Sequence, residues 1–466
     1  MSKFDHSFLC VYGHFSQPPR GNPLTGLVGS EAGASPHQNW NERITETSYK
    51  PNAAAGNFRH ISFSVGEALM TWLQRREPQV YRAIVEGDKG TPEDEYGNAL
   101  ATAYHHSILP LARRRDKRTQ VLWGIAAFEH HYGRKPLGFW LPEMAVDEET
   151  LSTLADAGIE YTLLARQQIR EMPLEGGAGP YKIELSRGRS MGIFVRDDAL
   201  SIELSFNIYN LGGAGHWARN SLAPRRQFDG TLLLVATEGE TFGHHYVGED
   251  QFLRWLVTHE ALSVGFRMVS LDRYFSENLP TVAVQIEEPS SWSDQYGLAH
   301  WATGQGHTIW KGALRRALDN VASEIDRAYE DLARQHEFDP WELRDQYAPV
   351  LLGEMSCGEF MSRQVPSVKG DETQVLEDLL AAQELAQRMY TSYTFTGNDL
   401  DNPQPRYAIA CAAAALTLAQ RATKTNMSER LVSDLRVVTA ENTSETGESI
   451  LRQVLRDCEL DLELAD

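Results

Sequence analysis

Short apolar runs alternate with helical patterns across the first three hundred residues, and this alternation constrains the fold more than any other feature. Strands are expected over 8–13, 137–141, 159–164, 192–195, 232–236 and 281–286. Helices are expected over 65–85, 99–111, 117–132 and 146–157, with Gly158 as the stop of the last. Such alternation implies a largely parallel sheet, wound open or closed into a barrel. Around Trp310 the character changes. Helices then follow one another over 310–330, 340–352, 373–390, 405–421, 428–440 and 446–462, with the acidic stretch 457–466 ending the last as a solvated helix. The expected division is a barrel over 1–305 and a helical domain over 306–466.

Barrels of alternating strands and helices keep catalytic groups where a strand gives way to a loop. The run 137–141 leads through Trp140 and Pro142 into Glu143. The run 232–236 leads into Glu238 and Glu240, separated by Gly239. If the strand extends that far, alternation points both acids to one face. Two strand-end carboxylates are the minimum equipment for cleaving a glycosidic bond. A surface-loop glutamate is the plainer reading of each. Trp140 shifts the balance at Glu143, because sugar rings stack on aromatic faces.

Other polar groups cluster at strand ends and loops. His14 and Gln17 close the first strand, and both can hydrogen-bond hydroxyls. Trp40 and Glu42 lie in the polar-aromatic loop 37–43, where a capped helix start is the competing reading. His244 and His245 follow Glu240, and Trp292 joins Trp40 and Trp140 as a candidate sugar platform.

Composition narrows the partners. Lys+Arg is 44 against Asp+Glu 64, a formal charge of −20, which argues against nucleic acid or an anionic membrane and leaves a neutral carbohydrate open. The four cysteines are scattered, as in reduced thiols of a cytoplasmic protein. The apolar stretch 8–12 is too short for a secretory signal, and no apolar run is long enough to span a membrane. HExxH, a Cys/His cluster, a GxSxG elbow and a phosphate-cradling glycine loop are all missing, so neither a metal nor a cofactor is expected.

Three stretches together resemble glycoside hydrolase family 57: Gly13 to Pro18, Trp140 to Glu143, and Glu238 to His244. The wider likeness is to a branch carrying an additional C-terminal domain of unknown function. The resemblance implies a (β/α)7 barrel followed by helices, and retaining cleavage or transfer of α-glycosidic bonds, mostly in α-glucans, without a metal in the amylase-like members. It places Glu143 at the nucleophile position and His14 at the first-motif histidine. It places Glu238 where the family carries an aspartate as general acid/base. That extra methylene shifts the point of proton delivery, and a misplacement of about 1 Å can cost roughly a hundredfold in rate. Two other readings stay open: a carbohydrate-binding or regulatory protein on a degenerate barrel, and a metal-dependent hydrolase of the deacetylase or α-mannosidase type.

Overall fold

The computed structural model describes residues 6–90, 96–173, 177–227, 230–440, 445–462 and 464. The chain forms two compact units. The first holds residues up to Gln17, Gly29–Ala103 and Phe128–Ser293; the second holds Pro18–Val28, Tyr104–Ala127 and the chain from Asp294 on.

Among the described residues the first unit contains nine strands: β1 (Ser7–Phe15), β2 (Ser62–Val65), β3 (Ala101–Thr102), β4 (Gly138–Trp140), β5 (Tyr161–Ala165), β6 (Tyr181–Glu184), β7 (Ser190–Arg196), β8 (Leu232–Glu238) and β9 (Phe266–Met268). Parallel pairing runs β8–β1–β2 and β3–β4–β5–β7. A bridge from Phe63 to Ala99 links β2 to the approach to β3, and Asp197 N donates to Leu234 O at 2.8 Å, linking the end of β7 to β8. Seven parallel strands therefore follow one another in a hydrogen-bonded circuit, with antiparallel β6 on the outside of β7 and β9 beside the start of β1. Helices fill the crossovers, among them Glu148–Asp156 between β4 and β5 and Asp198–Asn207 between β7 and β8. This is the α/β architecture with a helical C-terminal region expected from the alternation.

Strands covered on both faces read as continuous apolar runs, which is why they were visible in sequence. Alternation sorts the interior. Cys10 and Tyr12 of β1 stand level with Leu234 and Ala236 of β8, and all four are buried in one core with Trp140, Leu163 and Phe194. One pair further along, His14 is level with Glu238, at the end where the site lies.

Several expectations change. The segment 99–111 is not a helix: Ala101–Thr102 is a buried strand, His106 has φ +54°, and only a 3-10 turn forms at Leu109–Leu111. The helix over 65–85 is strand β2 followed by two helices, Glu67–Arg76 and Pro78–Asp88, because Pro78 removes a donor and starts a new helix. The strand over 281–286 is reduced to single bridges at Ala283 and Ile286. Gly158 stops its helix as expected, with φ +87°.

The second unit is helical. Its long members are Trp310–His336, Asp371–Arg388 and Pro403–Thr423. The last is buried along Ala408–Ala415, where alanines let neighbouring backbones approach closely. The helix over 340–352 is broken into Pro340–Asp345 and Ala348–Leu351, and Cys357–Gln364 is an additional helix. The last two helices are shorter than expected, Ser428–Arg436 and Gly447–Asp457. The final helix therefore ends at Asp457, the first residue of the acidic stretch, whose residues 463, 465 and 466 lie outside the described residues. No described helix is long and apolar enough to cross a membrane.

Candidate active site

Glu143 sits just beyond β4, on the 3-10 turn Pro142–Met144. Its backbone is left-handed (φ 58°, ψ 20°), a conformation L residues with a side chain avoid, as is that of Met144 (φ 47°). Sparsely populated backbone at a strand end marks a side chain whose aim matters. The indole Nε1 of Trp292 donates to Glu143 Oε2 at 2.9 Å, and the Trp292 backbone N–H reaches Glu143 O at 3.3 Å. Burial pushes the carboxyl up to about 7; hydrogen bonds from Trp292 and Ser293 oppose this, and the charge of Glu238 adds to it. No basic side chain lies within ion-pair distance of Glu143 among the described residues.

Glu238 ends β8, with its side chain 57% exposed, and its Oε2 meets His245 Nε2 at 3.1 Å. That hydrogen bond holds His245 above its ordinary range. Glycine between the two acids is required by space: a Cβ at Gly239 would stand 2.3 Å from the Phe15 ring. Glu240 then turns inward and is buried. Its Oε1 accepts from Tyr49 Oη at 2.6 Å and from Ser16 N at 2.9 Å. Burial pushes this carboxyl to about 7 as well, the hydrogen bonds again opposing and Glu238 adding.

A stack of rings ties these strand ends together. Trp140 is wholly buried and lies parallel to Tyr12 (centroids 4.9 Å apart) and to His14 (5.0 Å), with Trp292 edge-on at 5.4 Å. Tyr12 donates to Ser64 Oγ at 2.5 Å, and Ser64 Oγ lies 2.7 Å from His14 Nδ1. Ser64 thus links Tyr12 to His14 and fixes the orientation of the imidazole. Trp292 keeps part of its surface exposed and carries the Arg196 guanidinium 4.8 Å from its ring centre.

The structure thus brings His14, Trp140, Glu143, Trp292, Glu238 and Glu240 into one contiguous group. Trp140 builds the group from within and has no free face for a sugar ring. Gln17 is buried just past β1. Trp40 is edge-on to His244 at 6.1 Å, and His244 is pushed down to about 4 by burial and by the charges of His245 and Arg43. Glu42 is engaged as a helix cap: its carboxylate accepts from Gln38 N at 3.0 Å and Asn39 Nδ2 at 3.2 Å, and its N–H donates to Asn39 Oδ1. Tyr49 and Ser64 were not legible in sequence. Each is an ordinary polar residue whose partner lies far along the chain, 191 residues away for Tyr49 and 50 for Ser64. Among the described residues no three His, Cys, Asp or Glu side chains are grouped as metal ligands would be.

The sequence model of glycosyl hydrolase family 57 matches residues 22–287, and a domain of unknown function, DUF3536, matches 307–464. Alpha-amylase 1 of Dictyoglomus thermophilum is 27% identical over 128 residues, which are 26% of this chain and 18% of that protein. A 1,4-alpha-glucan branching enzyme of Thermococcus kodakarensis is 43% identical over 51 residues, 11% of this chain and 8% of that protein. The chain thus matches well under a quarter of the length of either relative. Among solved structures, an exo-type maltose-forming amylase from Pyrococcus sp. ST04 superposes with a TM-score of 0.74 at 15% identity, covering 96% of this chain and 88% of that one. The branching enzyme of Pyrococcus horikoshii gives 0.57 at 16% identity, covering 98% and 95%. These likenesses establish the fold, and with more than half its length matched by the family model, the chain belongs to glycosyl hydrolase family 57.

Proposed function

We propose that the protein is a retaining α-glycosidase or α-glucanotransferase acting on α-glucans or oligosaccharides. The observation that carries this reading is Glu143: an acid held by the Trp292 indole on a left-handed turn at the end of β4, close enough to Glu238 at the end of β8 to feel its charge. Glu143 attacks the anomeric carbon, the glycosidic C–O bond breaks, and Glu238 gives its proton to the departing oxygen. Glu238, now a carboxylate, takes a proton from water or an acceptor hydroxyl, which attacks the glycosyl-enzyme and frees Glu143. The retaining course predicts carboxyl groups roughly 5–5.5 Å apart in the productive complex. His14, Gln17, Trp40, Glu240, His244 and the exposed edge of Trp292 are the proposed sugar contacts. Glu42 is a weaker member of that set because its carboxylate already caps a helix. The amylase, branching-enzyme and glucanotransferase folds among the structural neighbours support an α-glucan as substrate. The division into domains 1–305 and 306–466 and a cytoplasmic setting belong to the same proposal.

Product analysis on maltooligosaccharides, amylose, glycogen and aryl α-glycosides tests it, with Glu143→Gln as control. New sugars that vanish in the control are expected, and the product ladder separates hydrolysis from transfer. A second reading, glucan binding without turnover, is favoured by one observation: Glu238 replaces the expected aspartate and is largely exposed. Tight binding with no products, unchanged by Glu238→Asp, would select it.

A further inference from the structure

The helix Asp198–Asn207, between β7 and β8, carries apolar side chains on both of its sides. Leu200, Leu204 and the following Ile208 are buried. Ile202 and Phe206, four residues apart on the opposite side, face water, and Phe206 is 76% exposed. A surface helix ordinarily turns charged and polar residues outward there. Tyr209, on the next turn, is 57% exposed, and Val247, from the loop after β8, is 67% exposed. The two segments meet: Tyr209 Oη donates to Val247 O at 3.2 Å, and the partly exposed Tyr246 stands edge-on to Tyr209 with centroids 4.9 Å apart. Single exposed apolar residues are ordinary, whereas an assembled patch marks an interaction site.

This patch adjoins the candidate acid/base from two directions. The helix climbs alongside β8. Asp197 N donates to Leu234 O at 2.8 Å, Ser201 Oγ accepts from Ala236 N at 3.1 Å, and Ser205 Oγ lies 2.6 Å from Thr237 Oγ1. Phe206 thus follows the residue bonded to Thr237, and Glu238 is the next residue of β8. From the other direction, Tyr246 follows His245, whose Nε2 lies 3.1 Å from Glu238 Oε2. Trp292, in contrast, holds the other carboxylate, Glu143.

We infer that Phe206, Tyr209, Tyr246 and Val247 form a platform for sugars on the leaving-group side of Glu238, which suits the site to extended α-glucan chains. The inference rests on the glycosidase reading in one respect. The acid/base gives its proton to the departing oxygen, so the departing or accepting chain lies beside it. A pyranose presents a C–H face that rests on aromatic rings, and hydroxyls around its rim. Asn207 and Asn210, both exposed and joined by a 2.7 Å hydrogen bond, keep amide donors and acceptors at the edge of the patch for such hydroxyls. A stable protein partner takes about 20–30 residues a side, far more than this patch supplies.

The first test is calorimetric titration of maltoheptaose into the full chain bearing Glu143→Gln, so that the probe is not consumed. Adding Phe206→Ala should weaken binding roughly tenfold. Phe206→Trp, which keeps a ring, should restore it. Trp255→Ala removes an exposed aromatic outside the patch and should bind as the parent does. Phe206 projects into water, so its loss leaves the core intact, and circular dichroism checks this. No binding of maltoheptaose, binding unaltered by Phe206→Ala, or an equal loss in Trp255→Ala would overturn the platform. A dimer in sedimentation that Phe206→Ala separates would assign the patch to a second copy of the chain and would also overturn it.

The second test uses the unsubstituted active site, with α-glucosyl fluoride as donor and maltopentaose as acceptor. Fluoride fills no sugar position on the leaving side. Phe206→Ala should raise the maltopentaose concentration for half-maximal transfer roughly tenfold. A rise in the half-saturating donor concentration instead would overturn the leaving-side placement. If the unsubstituted protein releases no fluoride, the glycosidase reading fails, and the titrations still decide the platform.

Discussion

Glu240 in the strand-rich unit and Glu384 in the helical unit are both buried glutamates, and their surroundings push them in opposite directions. Burial raises each. Glu384 is overruled by Arg388, which donates from Nη2 at 2.6 Å and from Nε at 2.9 Å, and by His105 at 2.9 Å, so that its carboxyl falls to about 2. Glu240 receives a tyrosine hydroxyl and backbone N–H groups but no cation among the described residues, and rises to about 7, as does Glu143 beside Trp292. The helical unit neutralises its buried acid with cations. The strand ends leave theirs uncompensated. Clamped ion pairs serve structure, whereas acids held near neutrality are suited to exchanging protons or to meeting a positively charged transition state.

The largest effect that separates the two regions is on turnover. Glu143→Gln is expected to lower kcat on an α-glucan on the order of a thousandfold or more while leaving the fold intact, as judged by circular dichroism. In the unsubstituted enzyme kcat/KM should fall as pH drops through about 7, because protonated Glu143 cannot attack. A flat profile between pH 5 and 8 would break the assignment.

Next in size is stability in the helical unit. Glu384→Gln leaves Arg388 and His105 without their carboxylate and should cost about 3–5 kcal/mol in urea unfolding at pH 7. Because folding lowers this group from 4.5 to about 2, its contribution is present above 4.5 and is lost as pH falls from there toward 2.

Glu240 should show the opposite slope. Folding raises it from 4.5 to about 7, so the folded state binds the proton more tightly and loses stability as pH rises from 4.5 to 7. Glu240→Gln keeps a carbonyl oxygen for Tyr49 and Ser16 and removes the charge. The variant should match the parent near pH 4.5 and exceed it at pH 8 by at most about 3 kcal/mol. Parallel stability curves for parent and variant would contradict the contrast between the two regions.

The smallest expected effect is at His245. Its pair with Glu238 is half exposed, so His245→Gln should change kcat/KM only a few-fold, with a shifted pH profile. A loss as large as that of Glu143→Gln would make His245 a direct participant.

The strand-end acids could be found in sequence because buried parallel strands are continuous apolar runs, and a carboxylate after such a run stands out. The stretch 99–111 misled because Ala, Leu and His suit a helix, yet Ala99, Leu100, Ala101 and Ala103 are buried against neighbouring strands, and burial overrides propensity. The break at Pro78 could have been inferred from the proline itself. The aromatic residues beside the acids were legible as a group but not as individuals: Trp140 is core, whereas Trp292 holds the carboxylate. Tyr49, Ser64 and the clamp on Glu384 depend on contacts between distant segments, which no local pattern encodes.

The most direct measurement is mass spectrometry of the enzyme after incubation with a 5-fluoro-α-glucosyl fluoride, which slows release of a glycosyl-enzyme. A covalent hexosyl adduct on the peptide containing Glu143, absent from Glu143→Gln, is the predicted result. Turnover of α-glucans without such an adduct, or with the adduct on another carboxylate, would contradict the account.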